Sequence, residues 1–291
     1  MPDSPRVINA LTVDVEGFID SNRESLAIPD GVYDERQETY ELQRNMECVL
    51  ELFEATGAKA TFFFVGTVAA KLPGLVEEVA RAGHEVGSHG AEHRRLFGLE
   101  QSAFRRALSA SKARLEDLAG VPVEGFRAPD FSITRESFWA LDVLADLGFR
   151  YDSSVYPIGI HDVYGVREAD RFVFRWENGL LEFPLSTFEL ANRRVPFAGG
   201  GYFRLYPLAL TRLLIERINR SGQPVMFYIH PYEVGPVIPK IPGLSRYRKF
   251  RHYYNASRGQ GRLRTLLTAG QFGSAIQVLQ DIGALDERAL P

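Results

Sequence analysis

Apolar runs rich in β-branched and aromatic residues recur along the chain and alternate with stretches of helical periodicity. Val7–Val15, Lys59–Val65, His84–Ser88, Val123–Phe126, Phe149–Asp152 and Pro224–His230 read as strands. Several are apolar throughout, as parallel strands covered on both faces are. Between them, Leu42, Met46, Val49, Leu50 and Phe53 share one helical face. So do Phe104, Ala107, Leu108, Ser111 and Leu115, and also Phe138, Leu141, Leu144 and Ala145. Gly57, Gly83, Gly120, Gly148 and Gly222 follow the five main helical stretches, where a left-handed C-terminal cap is wanted. Pro73 opens a helix, where its missing N–H would have had no partner anyway. Repeated strand–helix units predict an α/β protein with a parallel sheet, open or closed as a barrel. Phe172–Trp176 and Leu180–Thr187 flank Glu177-Asn178-Gly179 and read as an added β-hairpin.

Composition narrows the class. Of 291 residues, 45% are hydrophobic and 24% charged, which suits a packed core and argues against disorder. The formal net charge of −3 gives no global pull towards nucleic acid. The single cysteine, Cys48, excludes an intrachain disulfide and a cysteine zinc site; its helical setting predicts a small core residue. Met1–Arg6 lacks the regions of a signal peptide, and no apolar run reaches transmembrane length. The expectation is a cytoplasmic protein.

The chemistry-bearing residues gather where strands end. Asp14 and Glu16 close the first strand and, by alternation, point the same way. Two such carboxylates call for a cation or an arginine between them. His89 and His93 follow another strand four residues apart, so one helical turn would bring both imidazoles to one face. Two histidines and a carboxylate can hold a divalent ion with positions left open for water and substrate. Such an ion polarises a carbonyl and acidifies water, with Asp14 then free to act as general base. Arg127, at a further strand end, can pair with Asp14. His230 ends the last strand and can protonate a leaving amine. Asp152 is either the group that fixes the His230 tautomer or a simple turn residue. In a parallel barrel these strand ends share one face, where active sites are built.

The order Thr-x-Asp, His-x-x-x-His, Arg-x-Pro and apolar-x-His, from Val7 to His230, resembles the polysaccharide deacetylases of carbohydrate esterase family four. The resemblance implies a distorted (β/α) barrel of about seven parallel strands, here with the hairpin and C-terminal helices added. It also implies one divalent ion, zinc before cobalt, nickel or iron, and hydrolysis of N-acetyl groups on an N-acetylated oligo- or polysaccharide. Carried over, Asp14 is the base, Arg127 its partner, His230 the acid, and His89 and His93 the metal histidines. The backbone N–H of Asp130 falls at the oxyanion donor. The usual adjacent pair of aspartates is absent: Val15 takes the second place, so Glu16 is the expected third ligand, with Asp14 the alternative.

Tyr151–Ser154, Glu182–Thr187, Gly199–Arg204 and Phe250–Tyr253 resemble the exosortase-associated branch, which accompanies bacterial exopolysaccharide assembly. On this basis 1–291 form one deacetylase domain, with branch-specific features in 172–291. Gly199-Gly200-Gly201 reads as a turn with positive φ, a close backbone approach to a ligand, or a plain flexible loop. Gly200 and Tyr202 are accordingly candidate substrate residues. Ser245–Arg264 carries Arg246, Arg248, Lys249, Arg251, Arg258, Arg262 and Arg264 without an acidic residue, interleaved with Tyr247, Phe250, Tyr253 and Tyr254. It reads as a solvated charge run, or as a docking surface for an anionic lipid-linked glycan or for the inner membrane, which would make the protein peripheral to it.

Three other functions compete. A metal-independent amidohydrolase of the same fold would act on a small cyclic amide or ureide. A non-catalytic carbohydrate-binding relative would not need the acid–base pair Asp14 and His230. An iron oxygenase would use the same two-histidine, one-carboxylate set, but on a β jelly roll rather than a parallel α/β frame.

Overall fold

The computed structural model describes residues 7–29, 31, 33–159, 165–191 and 193–286; Met1–Arg6, where a leader was sought, lie outside them. The strands are β1 Asn9–Val15, β2 Thr61–Phe64, β3 Glu85–Ser88, β4 Gly125–Phe126, β5 Tyr151–Asp152, β6 Phe174–Arg175, β7 Leu181–Glu182, β8 Thr187–Leu190, β9 Arg193–Pro196, β10 Met226–Ile229 and β11 Phe272–Gly273. The main sheet runs β10-β1-β2-β3-β4-β5-β7-β6, with β11 also on β1. Every pairing is parallel except β6 with β7. The seven parallel strands from β10 to β7 form the barrel wall expected of this pattern. The two wall ends are bridged by side chain and loop: Ser186 Oγ accepts from Met226 N at 2.9 Å, and Gly199 bridges to Tyr228.

Helices sit between strands, as the periodicity predicts. Gly57, Gly83, Gly120, Gly148 and Gly222 all adopt φ between 67° and 78° and end helical segments. The hairpin forms at Asn178-Gly179, but only Phe174–Arg175 and Leu181–Glu182 pair. Pro184 cannot donate to a ladder, and past it Thr187 starts a second hairpin, β8–β9, that the pattern did not announce. Cys48 is half-buried on the helix Glu35–Thr56 rather than in the core, with burial pushing its thiol up.

Strand alternation divides the core in two. Leu11, Val13, Phe62, Phe64, Phe126, Phe227 and Ile229 face the helices. Ala10, Phe63, Tyr151, Leu181, Phe183, Met226 and Tyr228 fill the barrel interior. Two glycines make room for the interior rings: a Cβ on Gly87 would meet Phe63 at 2.5 Å, and one on Gly125 would meet Tyr151 at 2.2 Å. At the lower end of the barrel Glu85 accepts from Thr61 Oγ1 at 2.5 Å and Tyr151 OH at 2.7 Å, and from Ile276 N at 3.0 Å. Period two and the register then carry the interior phase upward. Asp14 follows Ala10 and Thr12, His89 follows Gly87, Arg127 follows Gly125, and His230 follows Met226 and Tyr228. No described helix is long and apolar enough to cross a membrane.

Candidate metal and acid–base site

At the upper rim, Glu16, His89 and His93 bring ligand atoms within 4.8 Å of one another. Glu16 Oε2 lies 3.3 Å from His89 Nε2 and 2.6 Å from His93 Nε2, all three side chains being buried. The two histidines do not converge on a helix, as their spacing suggested. Residues 89–93 form an irregular bend, and Gly90 turns it at φ 85°. The bend is pinned where Gly90 O accepts from Gly66 N at 2.9 Å and Ala91 O from Thr67 N at 3.0 Å.

This trio passes the tests of a cation site. His89 Nδ1 stands 2.8 Å from the Arg127 carbonyl oxygen, an acceptor, so Nδ1 carries a proton, and the neutral ring then turns the Nε2 lone pair to Glu16. In the neutral ring two acceptors stand 3.3 Å apart in a buried setting, a contact that a cation between them or a proton on Nε2 relieves. Glu16 Oε2 has no hydrogen bond of proper geometry, despite its closeness to His93. A tetrahedral ion with bonds of about 2.1 Å separates its ligand atoms by about 3.4 Å. The His89 contact already has that spacing, and the His93 contact needs less than 1 Å of retreat. Burial pushes the Glu16 carboxyl up, but His93, with His89 and His230, outweighs it and holds Glu16 well below the usual carboxylate range. Burial opposes charge on His93 too, yet Glu16 raises it to about 9. The pocket is therefore organised around positive charge on this carboxylate.

Asp14 lies beside the trio and is held from the other side. Arg127 is fully buried and donates from Nη1 to Asp14 Oδ1 and Thr12 Oγ1, each at 2.7 Å. Its Nε and Nη2 donate to Ser153 O at 3.0 Å and Ser153 Oγ at 2.8 Å, and its guanidinium lies 4.4 Å from the Phe63 ring centre. These contacts leave Arg127 little freedom, so Asp14 is fixed in direction.

His230 approaches from the third side, with Nε2 3.3 Å from Glu16 Oε1. Asp152 does not orient it. Asp152 is one residue out of phase with the interior: it pairs in register with Glu182, accepts from Ser154 Oγ, and faces away from Arg127. Burial pushes Asp152 up to about 6 and Glu182 well above the carboxylate range, with each carboxyl close to the other. The residue that holds His230 is Glu233. Its Oε2 lies 3.0 Å from His230 Nδ1 and accepts from His230 N at 3.0 Å, while its Oε1 accepts from Arg204 Nε at 3.0 Å. Burial opposes charge on His230, but Glu233, ahead of Glu16 and Asp14, raises it to about 9. Glu233 itself, raised by burial, is brought down to about 2 by His230 and Arg204. The sequence signal was the spacing His230-Pro231-x-Glu233, a capping box at the start of the helix Pro231–Val234.

The remaining candidates fall into supporting positions. Asp130 adopts φ 52° and turns its carboxylate to Arg95 Nε at 2.6 Å. The glycine run makes a close backbone approach, but to β10: a Cβ on Gly199 would meet Tyr228 O at 2.0 Å, and one on Gly200 would meet Tyr228 OH at 2.5 Å. Tyr202 stands 6.2 Å from Tyr206 on the short helix Gly200–Leu205, whose Arg204 reaches Glu233. Tyr232 stacks on His230 at 5.0 Å, a wall the sequence did not reveal.

Residues 29–151 match the family model described as polysaccharide deacetylase. That stretch is similar to the polysaccharide deacetylases. His89, His93, Arg127 and Asp130 lie within the matched residues; Asp14 and Glu16 precede them, and Asp152, His230 and Glu233 follow them. Residues 153–280 match a second model, a domain of unknown function named DUF3473. A peptidoglycan-N-acetylglucosamine deacetylase of Bacillus cereus is 30% identical over 95 residues, 32% of this chain and 34% of that protein. The match thus spans about a third of the relative's own length. Among solved structures, a Mycobacterium smegmatis chain assigned as a polysaccharide deacetylase aligns at TM-score 0.63 and 21% identity, covering 98% of this chain and 92% of that one. The allantoinase Puue aligns at 0.64 and 15% identity, covering 99% and 93%. Both show a shared fold alone.

Proposed function

We propose that this protein hydrolyses N-acetyl groups on aminosugars of a bacterial exopolysaccharide or its lipid-linked precursor, with one divalent ion, zinc first, held by Glu16, His89 and His93. The reading rests on one observation. A metal-type trio stands between a carboxylate aimed by an arginine and a histidine aimed by a glutamate. The name of the Bacillus cereus relative supports an N-acetyl sugar as substrate class. The likeness of the second half to exosortase-associated chains supports exopolysaccharide.

A divalent ion at this site supplies Lewis acidity to the amide carbonyl and acidity to the attacking water. Asp14, directed by Arg127, accepts the proton of that water on the oxygen not bonded to the guanidinium. Water oxygen bonds to the carbonyl carbon. His230 then gives the proton on Nε2 to the sugar nitrogen as the carbon–nitrogen bond breaks, and Glu233 holds Nδ1 throughout. Acetate and a free amine leave. The Asp130 N–H is the proposed oxyanion donor. The rival reading, a cyclic amide hydrolysed without metal, gives the gathered Glu16, His89 and His93 no shared task.

The test is acetate release from N-acetylglucosamine oligomers, before chelation, after it, and after metal is restored. Release that chelation abolishes and metal restores is expected. Release untouched by chelation sinks the metal assignment, and turnover of a cyclic ureide but no oligomer sinks the substrate class.

A further inference from the structure

The helix Arg246–Tyr253 has no buried residue, yet it is fastened along one side. Tyr253 OH donates to Pro239 O at 2.9 Å, and Arg248 Nη1 donates to Leu26 O at 3.1 Å. The rings of His252 and Tyr253 each lie 6.3 Å from Phe18. These contacts fix which side faces outward. On it stand Tyr247, Phe250 and Tyr254, which are 71%, 53% and 41% exposed. Their spacing of three and then four residues makes one stripe. Phe250 and Tyr254 touch, with ring centres 4.9 Å apart. Arg246 and Arg251 border the stripe on either side, and Lys249, also exposed, lies farther round the helix. Among the described residues none of these three cations has an ion-pair partner, and no acidic residue occurs between 245 and 264.

The basic run is therefore two things. Arg248 and Arg262 are anchors, the latter donating to Phe203 O and Tyr206 O at 2.6 Å each. The outward residues are something else. A merely solvated charge run gives no reason to hold three aromatic rings in water on one side. An aromatic stripe between cationic borders matches the boundary of a bilayer, where rings sit at headgroup level and cations meet lipid phosphate. We propose that the helix Arg246–Tyr253, with Tyr254, docks this protein on an anionic lipid bilayer. The charge argues for that occupant: the patch is positive on a chain whose formal net charge is −3.

The patch also lies close to the site. Phe18, which its inner side meets, packs on Tyr232 at 5.0 Å, and Tyr232 stacks on His230 at 5.0 Å. Docking here would set the site next to glycan carried at the lipid surface. That consequence rests on the deacetylase reading; the docking itself does not.

The test is co-sedimentation of the full chain with phosphatidylcholine vesicles and with mixed phosphatidylcholine and phosphatidylserine vesicles, at low and high salt. Binding to the anionic vesicles alone, weakened by salt, is expected. Each basic residue near an anionic surface is worth about fivefold in binding, so Arg246→Glu with Lys249→Glu and Arg251→Glu should lose roughly a hundredfold or more. Tyr247→Ser with Phe250→Ser and Tyr254→Ser should lose binding that salt cannot restore. Unchanged far-ultraviolet dichroism and melting confirm both variants are folded. Equal binding to neutral vesicles, none to anionic ones at low salt, or full binding by the charge-reversed variant overturns the proposal. So does binding of soluble chito-oligosaccharide in place of vesicles, which would mark the stripe as a sugar platform.

Discussion

Glu233→Gln isolates the part of the site proposed to deliver a proton to the leaving group. The carboxylate accepts from His230 at both Nδ1 and the backbone N, and its other oxygen pairs with the buried Arg204. Removing the charge leaves Arg204 buried without its counter-ion, a change worth about 3 kcal/mol in a buried pair. Linkage gives the same size. Glu233 sits at about 2 when folded, against about 4.3 unfolded, and that difference is worth about 3 kcal/mol at neutral pH. Because the folded value is the lower, this stability is present above about pH 5 and is lost as pH falls through 4 towards 2. Glu233→Gln should therefore melt earlier at pH 7 and show a flatter loss of stability in acid. The kinetic effect has a separate signature. General acid catalysis is worth about 10²–10⁴ in rate, so kcat on N-acetyl oligomers should fall at least about a hundredfold with KM little changed. An aryl acetate such as 4-nitrophenyl acetate departs as phenolate and needs no proton. Its turnover should stay within about threefold of the parent, the size expected of a lost acid that this substrate does not use. Glu233→Asp should recover part of the amide activity. A parallel loss on both substrates in a folded variant would refute the positioning role, as would near-normal amide turnover.

Other sites make equally specific demands. Asp14→Asn should lose amide turnover by about 10² or more while retaining about one bound metal per chain, since the proposed mechanism makes Asp14 a proton carrier and not a ligand; metal loss measured by elemental analysis would show the two carboxylates share the ion. Glu182→Gln should stabilise the protein at pH 8 relative to pH 5 in chemical denaturation. Burial raises Asp152 to about 6 and Glu182 well above the usual carboxylate range, so both favour the protonated folded state and their contribution, present at low pH, is lost as pH rises; an unchanged pH profile would contradict this. Gly199→Ala places a Cβ 2.0 Å from the Tyr228 carbonyl oxygen at φ 128°, and should cost about 3 kcal/mol or more by the same measurement.

The sequence determined a good deal of this molecule because the relevant rules are local. Strand runs, helical faces and glycine caps depend on neighbours a few residues away, and all five cap glycines adopt positive φ. Alternation from Thr12 to Glu16 was enough to put both carboxylates on one side, and strand-end position was enough to gather His89, Arg127 and His230 at one rim. What it could not determine is which neighbour each group meets across the barrel. Asp152 was the candidate partner of His230 by sequence, and Glu233, three residues beyond the histidine, was passed over. Only the register, which pairs Asp152 with Glu182, sends the first to the outer face, and only the helix after His230 returns the second to its ring. The bend at Gly90, which replaces the helical turn expected between His89 and His93, is likewise held by Gly66 and Thr67 from another element. Arg248 and Arg262 look like their basic neighbours in the chain, yet they are anchors because carbonyl oxygens of Leu26, Phe203 and Tyr206 stand within reach. A hydrogen bond is decided within about 3 Å, and residues 24 to 222 positions apart reach that distance only when the sheet register and helix packing are complete.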